Sequence, residues 1–480
     1  MKDIALKIID LLKLKKLTYG DVRIVLRKSE NIKVKNEIPL VVTTNDDCGF
    51  GVRVFSDGGW GFSSSSDFKK SSIEKVVNQA IGIAKASGSV NKNKFIFGKS
   101  EPIVGAYITP HQINPLSVSL EDKINLLINA TSKMNQNKLV KIRQGFMRIF
   151  IDEKIFANTE DSIIHQKIIT CGSGIQATAI GKDEYQVRAY PNSFEGNFAT
   201  GGYEFIESLE LENHSERVAE EVEKILNASQ CPSGIMDVII DSSQLALQVH
   251  ESIGHPIELD RVFGTEASYA GTSFINPAMM NQLKYGSEIV NVYADATVPE
   301  ALGTFGYDDE GVPAQRIPII EKGIFKNFLS SRETAPLISK RSNGTMRADG
   351  WQNIPLIRMT NINLEPGEWE LDDLIADTKG GLYLETNSSW SIDDKRINFQ
   401  FATELAREIK NGKLGKIYKN PTYTGITTKF WNSCDAICNK KYWKKWGTPN
   451  CGKGEPPQTM YVGHCTSPAR FRNVYVGVMK

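Results

Sequence analysis

Two histidines five residues apart around a glutamate, in the run His250-Glu251-Ser252-Ile253-Gly254-His255-Pro256, constrain this 480-residue chain more than any other feature. A short apolar strand candidate, Val238-Ile239-Ile240, precedes them, and Leu245, Val249 and Ile253 then recur every four residues on one helix face. Asp241 with Gln244 three residues on forms an N-cap pair, so a helix is predicted to start there and to carry His250 and Glu251. Two neutral imidazoles can hold a zinc ion while an adjacent carboxylate takes a proton from its bound water, the equipment of a zinc hydrolase. The spacing is the difficulty. Histidines four apart share a helix face, whereas five steps of about 100° leave His255 roughly 140° from His250. The backbone must therefore leave α geometry. A π-bulge would suffice, as would a helix that stops at Gly254 and lets His255 fold back; Gly254 and Pro256 both favour such a break. The chain has six histidines in all, which makes this pairing around a glutamate hard to assign to chance.

A catalytic zinc commonly has three protein ligands and an open position. The third ligand must come from elsewhere in the chain. Cys451, in Pro449-Asn450-Cys451-Gly452-Lys453-Gly454, reads as a loop thiol that the glycines let approach closely; Cys465 with its neighbour His464, and Glu258, are rivals on spacing alone. Cys434 and Cys438, four apart on a predicted helix over 428–438, read as half-buried thiols rather than a second metal pair. Asp308-Asp309-Glu310-Gly311 lacks the spaced pattern of a calcium loop and reads as a charged turn. The lysines of 440–445, interleaved with Tyr442 and Trp443, read as a solvated face.

A net charge of +1 gives no reason to expect nucleic acid or a membrane surface as partner. Seven scattered cysteines do not form a disulfide framework, and a cytoplasmic location is expected. The amphipathic segment 1–16 is interrupted by Lys7 and Asp10 and is not read as a secretory signal; no apolar run of about 18 residues is present to span a bilayer.

The pattern along the chain predicts an α+β, multi-domain fold: mixed helix and strand units at 1–95 and 110–228, then a sheet-rich C-terminal catalytic domain at 232–480. In the first unit a helix is followed by strands over 21–27, 32–34, 51–55 and 60–63, the last two joined by an Asp57-Gly58 turn, and by a helix over 71–88 with Val76, Val77, Ala80, Ile83 and Ala84 buried. A polar linker is expected over 89–110. The second unit repeats the order: a helix capped by Ser119, strands over 141–151, 162–169, 174–180 and 184–190, and a helix over 212–228. Short strands follow at 288–295, 316–321, 323–330, 354–364, 381–386 and 397–405, with the metal helix laid on their sheet.

The His250 to Pro256 run, with Glu258-Leu259-Asp260-Arg261, resembles the signature of the TldD branch of the TldD/PmbA metallopeptidase family. Asp309-Glu310-Gly311-Val312-Pro313-Ala314-Gln315, Arg358-Met359-Thr360-Asn361, Cys451-Gly452-Lys453-Gly454 and Gly51-Val52-Arg53-Val54 resemble further family stretches, so the likeness spans nearly the whole chain. The resemblance implies a zinc peptidase in which His250, His255 and Cys451 ligate the ion and Glu251 activates water. It implies a cytoplasmic protein that degrades unfolded peptides or trims modified precursors, taken as extended strands, and that pairs with a PmbA-type (TldE) paralogue or with itself. His464, Cys465 and the aromatic segment 442–446 are departures from the family's pattern. The rival readings are a non-catalytic peptide-binding or regulatory subunit with a structural metal, and a zinc amidase.

Overall fold

Strands much longer than expected organise the N-terminal half. The structure, a computed structural model, describes residues 1–15, 17–90, 97–98, 100–136 and 138–477. Tyr19–Lys35 and Ile38–Ser56 run for 17 and 19 residues, where the sequence suggested short separate pieces. Val22, Ile24, Ile32 and Val34 lie at even spacing on one face, and two helix pairs cover that face in turn. The first two residues pack with the helices Lys2–Lys13 and Lys70–Val90, and the last two with Leu120–Lys133 and Leu211–Leu226. Val140–Asn158 and Ile163–Ile180 are continuous for the same reason, each contributing to both clusters. The two units with similar element order therefore share one eight-stranded sheet, whose central path runs Gly59–Ser65, Ile38–Ser56, Tyr19–Lys35, Val140–Asn158, Ile163–Ile180, Val104–Ile108.

The turn at Asp57-Gly58 has the positive φ values, 55° and 83°, of the tight hairpin expected there. In Lys70–Val90 the stripe is as expected except that Ile83 is exposed and Ile81 is buried instead. The expected linker holds a strand, Val104–Ile108, paired parallel to Ile163–Ile180. Residues 91–96 and 99 of that linker, and Lys16 of the first amphipathic segment, lie outside the described residues.

The C-terminal part confirms the α+β, sheet-rich expectation. Gly380–Ile392, Gly234–Ile240, Ala469–Val476, Thr422–Ile426 and Asn398–Lys410 pair in that order, and the first pairs back onto the last, which closes the sheet into a ring. The helix Ser242–Val249 is not merely laid on a sheet: every residue from 242 to 260 is buried. Thr427–Asn432 is helical but ends there, and Cys434–Ile437 is a strand, so Cys434 and Cys438 do not share a helix face; both are fully buried. The segment 354–364 divides into Leu356–Ile357 and Ile362–Leu364, and 323–330 keeps only Ile324–Phe325 as strand. Among the described residues no helix is long and apolar enough to cross a membrane.

Candidate metal centre

The Asp241 carboxylate caps the helix by accepting from the Ser243 and Gln244 amides at 2.9 and 3.1 Å. Gln244 does not return the bond to complete a capping box; its Nε2 donates to Tyr423 Oη. Tyr423 Oη in turn donates to Gln248 Oε1, and Gln248 Nε2 reaches Ser252 Oγ, so the polar side of a helix with no solvent face is hydrogen-bonded within the core. Leu245, Val249 and Ile253 fill the apolar side as the spacing predicted.

At His250 the winding changes. His250–Gly254 is a π turn in which the His255 amide donates to the His250 carbonyl, five residues back. Ser252 supplies a local cause: its hydroxyl donates to the Gln248 carbonyl, and its own carbonyl accepts from Tyr285 Oη. The first of the two departures allowed by the sequence is thus the one adopted. Gly254 keeps helical dihedrals, so its part is different from the break expected of it. A Cβ there would lie 2.1 Å from Met359 Sδ, and glycine is what lets that side chain pack against the turn. A 3₁₀ turn, His255–Ile257, follows.

The loosened winding brings the two imidazoles together, with ring centroids 4.8 Å apart. Cys451 joins them from Lys444–Lys453, which is a strand of a hairpin with Gln458–Thr466 and not the loop expected. Cys451 Sγ lies 3.3 Å from His250 Nε2 and 3.7 Å from His255 Nε2, and ligand atoms of all three residues fall within 4.8 Å of one another. In a tetrahedral site with Zn–N near 2.05 Å and Zn–S near 2.3 Å, a nitrogen and a sulfur stand about 3.6 Å apart. The donors present therefore fit such an ion.

The other ring nitrogens are engaged. His255 Nδ1 is 3.0 Å from Glu258 Oε2, and His250 Nδ1 is 2.8 Å from His464 Nε2. Glu258 and His464, rivals for the third ligand on spacing, thus stand behind the two histidines. Cys465, with a thiol that burial pushes up, is absent from the cluster. Burial lowers the pKa of His250 and, more strongly, of His255 and His464, which favours neutral rings. Burial alone would push the Cys451 thiol up, but the charged and hydrogen-bonding groups around it, the Arg358 guanidinium foremost, hold it below its ordinary value. A depressed thiol beside neutral imidazoles is poised for a cation.

Glu251 is buried, and its Oε2 accepts from Arg396 Nη1 at 2.6 Å. Arg396 projects from the turn joining Gly380–Ile392 to Asn398–Lys410, with φ of 66°. Lys453, fully buried two residues from Cys451, sits among Asp260, Glu258 and Glu266 at 2.8, 3.4 and 3.4 Å. Asp308, Asp309 and Glu310 are taken up by partners within the chain: Asp308 accepts three backbone amides, Asp309 faces Lys154 and Arg23, and Glu310 pairs with Arg53 and the Arg332 amide. They form the charged turn expected. The roles of Arg396 and Lys453 had no signal in the sequence, because their partners lie far along the chain; Glu258 did stand out, three residues from His255, but as a rival ligand and not as the group behind one.

Family models for PmbA/TldA metallopeptidases match the chain three times: domain 1 over residues 20–84, the central domain over 113–229 and the C-terminal domain over 233–476. A metalloprotease of Methanocaldococcus jannaschii is 31% identical over 427 residues, 87% of this chain and 89% of that protein. A metalloprotease TldD homolog of Buchnera aphidicola is 26% identical over 417 residues, 86% of this chain and 83% of its own. The crystal structure of TldE from Thermococcus kodakarensis superposes with a TM-score of 0.75 over 99% of this chain and 100% of that one; at 16% identity the likeness is one of fold.

Proposed function

The chain belongs to the PmbA/TldD family of metallopeptidases, and from that premise we propose that it is a zinc-dependent peptidase that cleaves unfolded or modified peptides, in degradation or in precursor maturation. The observation that carries the reading is the convergence of His250 Nε2, His255 Nε2 and Cys451 Sγ within 4.8 Å, with three protein donors among the described residues and not four. A purely structural zinc normally closes with four protein ligands, and a thiolate in the set favours zinc over harder cations. When bound, the ion supplies Lewis-acid polarisation of a carbonyl and makes water more acidic.

The remaining chemistry belongs to the chain's own groups. Glu251 takes the proton of the attacking water and passes it to the leaving amine. Arg396 holds Oε2 of that carboxylate, which leaves Oε1 as the oxygen that moves the proton. Glu258 and His464 orient the ligand rings from behind. The substrate enters as an extended strand read mostly through its main chain.

The proposed setting is cytoplasmic, with a PmbA/TldE-type paralogue or a second copy as partner. The outer edge of Ile38–Ser56 supports a partner: only its Phe50–Ser56 end pairs with Gly59–Ser65, and Ile38, Leu40 and Val42 are exposed beyond it. Purified protein, with and without the paralogue, is incubated with a mixed peptide pool with and without chelator, and products are read by mass spectrometry. Chelator-sensitive loss of peptides is expected. Tight peptide binding without cleavage would overturn the reading in favour of a binding subunit, and cleavage confined to non-peptide amides would make it an amidase.

A further inference from the structure

His464 lies fully buried on Gln458–Thr466, opposite Trp446 in the hairpin. Its neighbour Gly463 bridges Asn361, which sets His464 beside the strand Ile362–Leu364, and the Cys465 amide is pinned by Asn363 Oδ1 at 2.9 Å. These contacts hold the ring between two partners. Its Nδ1 is 3.1 Å from the Ile362 carbonyl oxygen, and its Nε2 is 2.8 Å from His250 Nδ1.

A carbonyl oxygen only accepts, so His464 Nδ1 must carry the proton. In a neutral imidazole the other nitrogen is then an acceptor, and the group it faces among the described residues, at 2.8 Å, is His250 Nδ1, which must donate. His250 is thereby left with its lone pair on Nε2, the nitrogen 3.3 Å from Cys451 Sγ. We infer that His464 is a positioning residue: the Ile362 carbonyl sets its tautomer, and it in turn fixes His250 as the Nδ1–H form that offers Nε2 to a divalent cation. The site then uses two kinds of ring support. Glu258, a carboxylate, backs His255, and a neutral imidazole backs His250. This rests on the reading that the cluster binds a metal, yet the tautomer is a property of the metal-free chain and is read separately.

The test uses the full chain labelled with ¹⁵N-histidine. Six histidines keep long-range ¹H–¹⁵N spectra simple, and His250→Gln and His464→Gln assign the two signals. In metal-free wild type, His250 is expected as the Nδ1–H tautomer. His464→Gln, whose amide oxygen can accept from His250 Nδ1, should keep that tautomer and bind zinc within about threefold of wild type in chelator competition. His464→Phe, which cannot accept, should mix the tautomers and weaken zinc by roughly 10- to 100-fold. An Nε2–H tautomer at His250 in wild type overturns the inference, as does unchanged zinc affinity in His464→Phe. Should the Phe variant not fold, the wild-type and Gln spectra still decide. A wild type that shows the Nδ1–H form but takes up no zinc would refute the metal reading alone and uphold the tautomer relay.

Discussion

Adding one methyl group at Gly254 is expected to disturb the metal centre through Met359 and not through the backbone. Gly254 has φ −61° and ψ −56°, so alanine suits its conformation, and in an exposed helix the change would stabilise by up to about 1 kcal/mol. Here the new Cβ would stand 2.1 Å from Met359 Sδ, 3.2 Å from its Cε and 3.3 Å from its Cγ. Met359 is fully buried in the same core as Ile253 and Cys451, so the thioether has no solvent to swing into. Overpacking of this kind costs about 1–3 kcal/mol. The two effects leave Gly254→Ala less stable by roughly 0–3 kcal/mol, up to about 10 °C in Tm for a unit of this size. The larger effect falls on the ligand next in sequence, with zinc binding weakened about tenfold or more. Thermal unfolding of metal-free protein and chelator competition are measured for Gly254→Ala, Met359→Ala and the double variant. Met359→Ala alone should lose about 2–5 kcal/mol to its cavity, and the double variant should be more stable than the sum predicts by about 1 kcal/mol, because the added methyl occupies vacated space. If Gly254→Ala raised Tm as at an ordinary helix position and the pair were additive, close approach would not be the reason for glycine.

Three further outcomes are expected. Glu251→Gln should retain zinc while losing about 100-fold or more in peptide turnover, measured by single-turnover cleavage; normal turnover would remove Glu251 from the role of base. Cys451→Ser should sharply lower zinc occupancy in elemental analysis, and unchanged occupancy would move the third ligand elsewhere. Burial raises the Glu333 carboxyl to about 7 although the Trp60 indole donates to it. Because the folded value is the higher one, the stability this group contributes is complete below the ordinary carboxyl range and is lost as pH rises through about 7. Glu333→Gln should therefore gain on wild type between pH 5 and pH 8.5, by up to about 3 kcal/mol, in denaturant titrations with chelator present; a pH-independent difference would refute the burial argument.

The parts of the site that a reader of the sequence can see are the local ones. The Asp241 cap, the buried stripe of Leu245, Val249 and Ile253, and the demand that histidines five apart leave α geometry all follow from neighbours within a few residues. What chooses the π turn is partly distant, since the Ser252 carbonyl is taken by Tyr285 and Gly254 packs on Met359. The supporting roles of Glu258 and His464 were hidden more completely. His464 meets His250 across 214 residues, and nothing in the spacing of either separates a ligand from the group behind a ligand. The long N-terminal strands were missed because apolar character does not report burial in their outer halves: Ile38, Leu40 and Val42 are exposed with Pro39 and Val41 between them, and the polar run Thr43 to Asp47 follows on both faces. Two separate helix pairs on one face, not the strand's own pattern, make these strands continuous.

The acidic turn at 308–311 explains how that sheet is held against the C-terminal part of the chain. Lys154 and Arg23 from the sheet face Asp309, and Arg53, which also grips Asp21 on the adjacent strand, reaches Glu310. Buried pairs of this kind contribute little net stability against apolar residues of the same shape, but loss of one partner strands a charge at a cost of about 3–5 kcal/mol. Their effect is then chiefly on docking, since a displaced sheet would leave these charges without their partners. A second contact of different physics points the same way. Gly49 and Gly51 lie directly under Trp351, where a Cβ at Gly49 would fall 2.3 Å from the indole ring, while Trp351 Nε1 donates to Asp47. Trp351 belongs to the segment that continues through Arg358 and Met359, the residues that brace Cys451 and Gly254. The N-terminal sheet is thus tied to the same stretch of chain that braces the candidate metal donors, which links its position to the geometry of that cluster.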